Sequence, residues 1–141
     1  MSSLVKKVGF EYIIVDDRVE FASAERFPDA LKLVVDDPGA VAKNLEVTNK
    51  DYIVIVTRGH KDDYNVLRSI IEKPVRYIGM IASKKKRNQI FGKLRMVDNI
   101  SDGQLNKIHS PIGIDIGSKT PEEIAVSIVA ELIKVRRNIT S

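Results

Sequence analysis

The residues best suited to chemistry fall in four short stretches, three of them directly after a run rich in β-branched residues. Thr57-Arg58-Gly59-His60 is the most concentrated. Arg58 could hold a phosphate or carboxylate, Gly59 permits a positive φ or a close ligand approach, and His60 could transfer a proton or bind a metal. Asp62 and Asp63 follow, so the same residues also suit an ordinary turn that opens a helix. In Ile14-Val15-Asp16-Asp17-Arg18, Asp16 is placed as the acid that ends the second strand of a dinucleotide fold and accepts hydrogen bonds from ribose hydroxyls. It would equally solvate a strand end. Ser83-Lys84-Lys85-Lys86-Arg87 puts four positive charges in the first turn of an expected helix, against its dipole, at about 0.3–1 kcal/mol each when exposed. An anion docked on the free N–H groups there, phosphate above all, would relieve that conflict; lysines swung into solvent would reduce it too. The fourth stretch, His109 to Ser118, carries two glycines and Asp115 and reads as an extended loop in which His109 and Asp115 either join a site or shape a turn.

Other chemistry is excluded. The 141 residues contain no cysteine, which removes disulfides, thiolate metal sites and cysteine nucleophiles and fits a reducing compartment. Two histidines without cysteine fall short of the three or four ligands of a zinc site, so no bound metal is expected. There is no G-x-G-x-x-G, Walker A, H-E-x-x-H or G-x-S-x-G sequence, hence no standard phosphate loop, zinc hydrolase or serine hydrolase. The net charge of +4 is too small to indicate nucleic acid, and the one dense basic run, Lys84 to Arg87, has no interleaved aromatic residues to stack on bases. No apolar run approaches the roughly 18 residues of a membrane helix, and the start lacks the apolar stretch of a signal peptide. A cytoplasmic location is expected.

These stretches need a scaffold that brings strand ends together. Runs at Glu11 to Val15, Leu31 to Val35, Tyr52 to Thr57 and Tyr77 to Ala82 read as strands, and near-continuous apolar sequence such as Tyr-Ile-Val-Ile-Val suits interior parallel strands. Helices are expected at Pro38 to Leu45, Asp63 to Glu72, about Lys84 to Met96 and about Asp102 to Ile108. Thr120-Pro121-Glu122-Glu123 combines an N-cap, an N1 proline and a capping-box acid, and opens a helix reaching about Arg137 with Ile124, Ile128, Leu132 and Val135 as its apolar stripe. The alternation defines one α/β domain over residues 1–141, three-layered and Rossmann-like, with a mainly parallel sheet.

The same stretches, with Glu25-Arg26-Phe27-Pro28, Ile78-Gly79-Met80-Ile81-Ala82 and the run from His109 to Ala125, resemble in order the carboxy-terminal Rossmann-like domain of the xanthine dehydrogenase accessory family, the XdhC and CoxI type. The resemblance implies a role in maturing molybdenum hydroxylases such as xanthine dehydrogenase. Family members bind the molybdenum cofactor, assist its sulfuration and deliver it to the apoenzyme, acting as chaperones more than as catalysts. The expected partners are the apoenzyme and a cysteine desulfurase, and the expected assembly a homodimer or other homo-oligomer, or a pairing with a second chain. The cofactor's phosphate is consistent with Thr57 to His60, Ser83 to Lys85 and Asp115 as contacts. An NAD(P)-dependent oxidoreductase with Asp16 on the ribose, and an interaction module without a small ligand, are the competing readings.

The chain departs from the pattern at its start. A glycine loop would precede Asp16 by about 20 residues, but only fifteen residues do, and Leu4 to Val8 supplies just the tail of a first helix. The usual first strand and glycine-rich loop are therefore lacking, which counts against NAD(P). In the order 3-2-1-4-5-6 that strand is central. Its two neighbours should close the gap by pairing Glu11 to Val15 with Tyr52 to Thr57, or by taking a strand or an exchanged half from another chain.

Overall fold

The computed structural model describes residues 1–57 and 59–138, apart from the side chain of His60. Its elements are α1 (Ser2–Lys7), β1 (Ile13–Asp16), β2 (Lys32–Val35), α2 (Pro38–Asn44), β3 (Tyr52–Ile55), α3 (His60–Ile70), β4 (Tyr77–Met80), α4 (Lys84–Val97), α5 (Asp102–Leu105), β5 (Ile108–His109) and α6 (Pro121–Arg136). Every strand pair among the described residues is parallel; helices carry the chain from β3 to β4 and from β4 to β5, and an irregular segment over 17–31 carries it from β1 to β2. The strands divide into two sheets, β1-β2 and β3-β4-β5. The expected pairing of Glu11 to Val15 with Tyr52 to Thr57 does not occur: β1 bonds β2, with Asp16 opposite Val35, and β3 bonds β4, with Ile55 opposite Met80.

Local chemistry starts and stops the helices. Asp37 caps α2 by accepting from Ala40 N at 2.9 Å, with Pro38 at N1. Ser83 caps α4 at 3.1 Å from Lys86 N. Thr120 and Glu123 form the capping box foreseen for α6, and Ser101 and Gln104 a second one for α5. The segment expected to be one helix from Asp102 to Ile108 ends at Leu105, because Ile108 and His109 pair with Ile78 and Gly79 as β5.

Two apolar cores lie on opposite faces of the strands. One joins Ala42 of α2, Leu67 and Ile70 of α3, Ile90 and Leu94 of α4, and Met80 of β4. The other joins Val5 of α1, Tyr77 of β4, and Ile128, Val129 and Leu132 of α6. Ile124, expected in the α6 stripe, is 38% exposed, since the first turn of α6 extends past the core. Among the described strands only β4, flanked on both sides, is buried at all four positions; β1 is exposed at Ile13 and partly buried beyond it, and β3 is partly buried up to the buried Ile55, so the reading of both as interior strands is corrected: each lies at the edge of its own sheet.

Candidate functional site

The carboxyl ends of β1, β3 and β4 gather most of the residues singled out from the sequence. A cavity of about 40 Å³ is lined by Val15, Asp16, Asp17 and Arg18 after β1 and by Val56, Thr57 and Asp62 after β3. A larger groove of about 360 Å³ lies between α2 and the β1-β2 sheet; its lining mixes the apolar Ile13, Val15, Val34 and Leu45 with Lys32, Asp36, Asn44 and Glu46 and includes none of the site residues singled out from the sequence. Asp16 and Thr57, both singled out from the sequence, are at the smaller opening, at the strand ends where ligands of open α/β sheets bind.

Asp16 is already engaged. Arg18 donates to it from Nε and Nη2 at 2.9 Å each and from its backbone N–H at 3.0 Å. The Arg18 side chain, reaching back across the carboxylate, holds that group well below its ordinary value, down to about 2. The Arg18 guanidinium also lies 3.7 Å from the centroid of the Phe21 ring, which fixes the fork in place. A carboxylate bound bidentately in this way has little acceptor capacity left for a ribose.

The centre of the rim is a cluster that the motifs did not announce. Asp63, in the first turn of α3, is fully buried. It accepts from the Thr57 hydroxyl, and its other oxygen faces Lys86 Nζ from the first turn of α4. A buried carboxylate needs both a charge partner and a donor, and Thr57 and Lys86 supply them. The sequence signal that could have found Asp63 is its helical spacing with Leu67 and Ile70, which puts an acid on the buried face of α3. Lys86 thus leaves the expected anion-binding lysines, and Arg87 leaves too, donating to Ser110 O at 3.0 Å.

Lys84 and Lys85 remain exposed, as does Ser83, whose hydroxyl serves as the helix cap. Gly59 is the N-cap of α3 and contributes no side-chain cap, so the first N–H groups of that helix keep their donor capacity. Arg58 and the side chain of His60 lie outside the described residues. Asp115 is exposed, its carboxylate accepting from Gly117 N at 3.2 Å in a turn; it is not brought to this rim by any described contact.

His109 belongs to a different cluster, on the α6 face. Its ring stacks on Tyr77 at 4.5 Å, and its Nδ1 lies 3.4 Å from Glu131 Oε1. The same oxygen accepts from the Tyr77 hydroxyl at 2.6 Å and from Gly113 N at 3.2 Å. Burial pushes the Glu131 carboxyl up, but the donors from His109, Tyr77 and Gly113 outweigh it and hold the group below its ordinary value. Burial and the Glu131 charge push the Tyr77 hydroxyl far up, keeping it a donor. This arrangement ties the loop after β5 to α6. Among the described residues no group of three or more His, Asp or Glu side chains is placed to hold a metal ion.

Parallel strands in Rossmann-like order, with polar residues at their carboxyl ends, define a nucleotide-fold domain. The chain belongs to the XdhC Rossmann domain family, whose model matches residues 1–132. It is 30% identical over 132 residues to the uncharacterized protein YqeB of Escherichia coli, covering 93% of this chain and 24% of that protein. It is 26% identical over 139 residues to a protein of Bacillus subtilis named as a probable xanthine dehydrogenase subunit, covering 99% of this chain and 40% of that protein. A crystal structure described as a xanthine dehydrogenase from Bacillus halodurans superposes with a TM-score of 0.84 at 31% identity, covering 99% of this chain and 39% of that one. The chain therefore spans between about a quarter and two-fifths of the length of these relatives. No helix among the described residues is long and apolar enough to cross a membrane.

Proposed function

We propose that this domain serves the maturation of molybdenum hydroxylases of the xanthine dehydrogenase type, holding the phosphate end of the molybdenum cofactor without catalysing a reaction on it. The observation that carries this reading is the meeting of two helix starts at one rim. The uncapped amino end of α3 and the Lys84-Lys85 start of α4 are joined through Thr57, Asp63 and Lys86. Fixed backbone N–H groups beside two free ammonium groups are what a phosphate monoester requires. Because Asp63 is neutralised by Lys86 inside the rim, its charge does not oppose an anion bound outside.

The names of the relatives support a client of the same kind. One relative is named as a probable xanthine dehydrogenase component, and a similar structure is described as a xanthine dehydrogenase, so a Mo-hydroxylase apoenzyme is the partner proposed. These 141 residues hold no cysteine, so sulfur for cofactor sulfuration would come from outside them, and a cysteine desulfurase is the partner proposed for that step. The commitment of Asp16 to Arg18 weighs against an NAD(P)-dependent reaction.

The test is co-expression with a xanthine dehydrogenase, followed by capture and measurement of bound pterin and of the enzyme. The expected result is pterin bound by the wild type and lost from Lys84→Glu/Lys85→Glu with enzyme capture retained. Capture of neither pterin nor enzyme by the wild type would overturn the reading.

A further inference from the structure

His109 plays no part in the phosphate rim, yet the fold fixes its imidazole from three directions. Its backbone pairs with Gly79 at the end of β5. Its ring lies on Tyr77, a side chain only 2% exposed. Its Nδ1 faces Glu131 of α6. Glycine at position 79 makes this possible, since a Cβ there would fall 2.5 Å from the Tyr77 hydroxyl and from Ile112 Cδ1. Without it the hydroxyl could not pass over the strand to Glu131.

The donors around Glu131 decide which nitrogen of His109 carries the hydrogen. Glu131 Oε1 accepts from the Tyr77 hydroxyl at 2.6 Å and from Gly113 N at 3.2 Å. The oxygen that Nδ1 faces is therefore a carboxylate acceptor, and a neutral imidazole must turn an N–H toward it. Nε2 is left with the lone pair. Glu131 takes Nδ1 alone, and the His109 side chain is 37% exposed, which leaves Nε2 as an acceptor of fixed polarity within reach of a ligand.

His109 is also a neighbour of the start of α4. The hydroxyl of the next residue, Ser110, donates to Met80 O at the end of β4 at 3.1 Å. Its carbonyl accepts from Arg87 Nη1, in the first turn of α4, at 3.0 Å. We propose that His109 Nε2 accepts the ring N–H of a heterocycle whose phosphate monoester lies at the start of α4, the lactam edge of a pterin or purine being the chemistry that supplies such a donor. The inference rests on the phosphate reading above and concerns the other end of the ligand. A rotatable hydroxyl turns to suit either tautomer, so a locked imidazole does not select it. A ring N–H has fixed polarity and is selected, whereas a carbonyl or a second phosphate would set lone pair against lone pair. Glu131 acts through Nδ1 as a positioning residue.

The test is calorimetric binding of three monophosphates to the whole chain at about pH 8, above the ordinary imidazole value of about 6.5. Neopterin monophosphate and inosine monophosphate carry a lactam N–H; purine riboside monophosphate has the phosphate without it. At least one of the first two should bind at least about tenfold more tightly than the third, because the third leaves Nε2 facing another acceptor. Tighter binding of the neopterin ester names a pterin as the ligand, and of the inosine ester a purine nucleotide. His109→Phe, which keeps a ring on Tyr77, should abolish the preference. Nitrogen NMR of the wild type gives a second measurement should that variant fail to fold. Nε2 should resonate as an unprotonated nitrogen and shift with the preferred lactam ester but not with purine riboside monophosphate. Glu131→Gln, whose amide both donates and accepts, should admit the other tautomer. Equal binding of the three esters, a preference that survives in His109→Phe, or a neutral ring protonated on Nε2 would overturn the proposal and leave the phosphate reading standing. Binding of none of them would overturn both.

Discussion

Lys86 turns its ammonium inward onto the buried Asp63 carboxylate, while Lys84 and Lys85, on the same helix turn, remain exposed. That division separates structural from ligand-directed charge at the start of α4. Removing one partner of a buried pair leaves the other uncompensated and costs about 3–5 kcal/mol, whereas replacing both by apolar groups can be nearly neutral. Asp63→Asn should therefore lower the unfolding free energy by about 3 kcal/mol, and Asp63→Leu/Lys86→Met should recover most of that loss. Urea unfolding of the variants checks both. Lys84→Ala and Lys85→Ala, at exposed positions, should change stability by no more than about 0.5 kcal/mol.

The Glu131 cluster gives a pH dependence with a definite sign. Its carboxyl lies below the ordinary 4.5 in the folded chain. The unfolded state therefore takes up the proton first as acid is added. The stabilisation is complete above the unfolded value and is lost as pH falls through the lowered folded value. Glu131→Gln should remove this contribution and cost about 1–2 kcal/mol at neutral pH, from the lost charge on the hydrogen bonds of Tyr77, Gly113 and His109. Unfolding curves at pH 7 and pH 3 for both proteins check it: the gap between them should narrow in acid.

Local signals in the sequence reached far into this fold. Thr120, Pro121 and Glu123 give the start of α6 because capping is a matter of neighbours three residues apart. Alternating β-branched and helical segments give the parallel pairing of β3 and β4, because a helical crossover returns the chain to the same end of the sheet. What the spacing could not show is which side chain of a charged run faces inward. Lys86 differs from Lys84 and Lys85 only in facing Asp63, and that depends on how α3 and α4 pack. Likewise Asp16 carries the right residue type for a ribose, but Arg18, two positions on, takes both its oxygens. The split of the strands into two sheets is a tertiary fact, visible only in which strands hydrogen-bond one another.

The Asp16–Arg18 pair should be visible by titration. With Asp16 at about 2 against 3.8 ordinarily, its contribution to stability is present above the ordinary value and fades as pH falls through 2. The side chains are 22% and 26% exposed, so solvent screening reduces the gain to about 1 kcal/mol. Arg18→Ala should return the Asp16 carboxyl toward its ordinary range, read from its carbon chemical shift across pH. An unchanged Asp16 titration in that variant would show that Arg18 is not the cause.

Two glycines set opposite expectations for the same substitution. Gly113 has φ +99°, and a Cβ there would fall 2.0 Å from the Ser127 hydroxyl of α6. Its N–H also donates to Glu131, so a shift of this backbone disturbs the carboxylate that Tyr77 and His109 share. Gly113→Ala should therefore destabilise by about 2–3 kcal/mol, combining backbone strain with a steric clash. Gly92 lies inside α4, where a Cβ would meet nothing within 4 Å. Gly92→Ala should stabilise by about 0.5–1 kcal/mol through reduced freedom of the unfolded chain and better helix propensity. Measured side by side by urea unfolding, the two changes should move the midpoint in opposite directions. The Gly113 variant alone should also weaken the acid dependence that Glu131 imposes, because its donor is displaced.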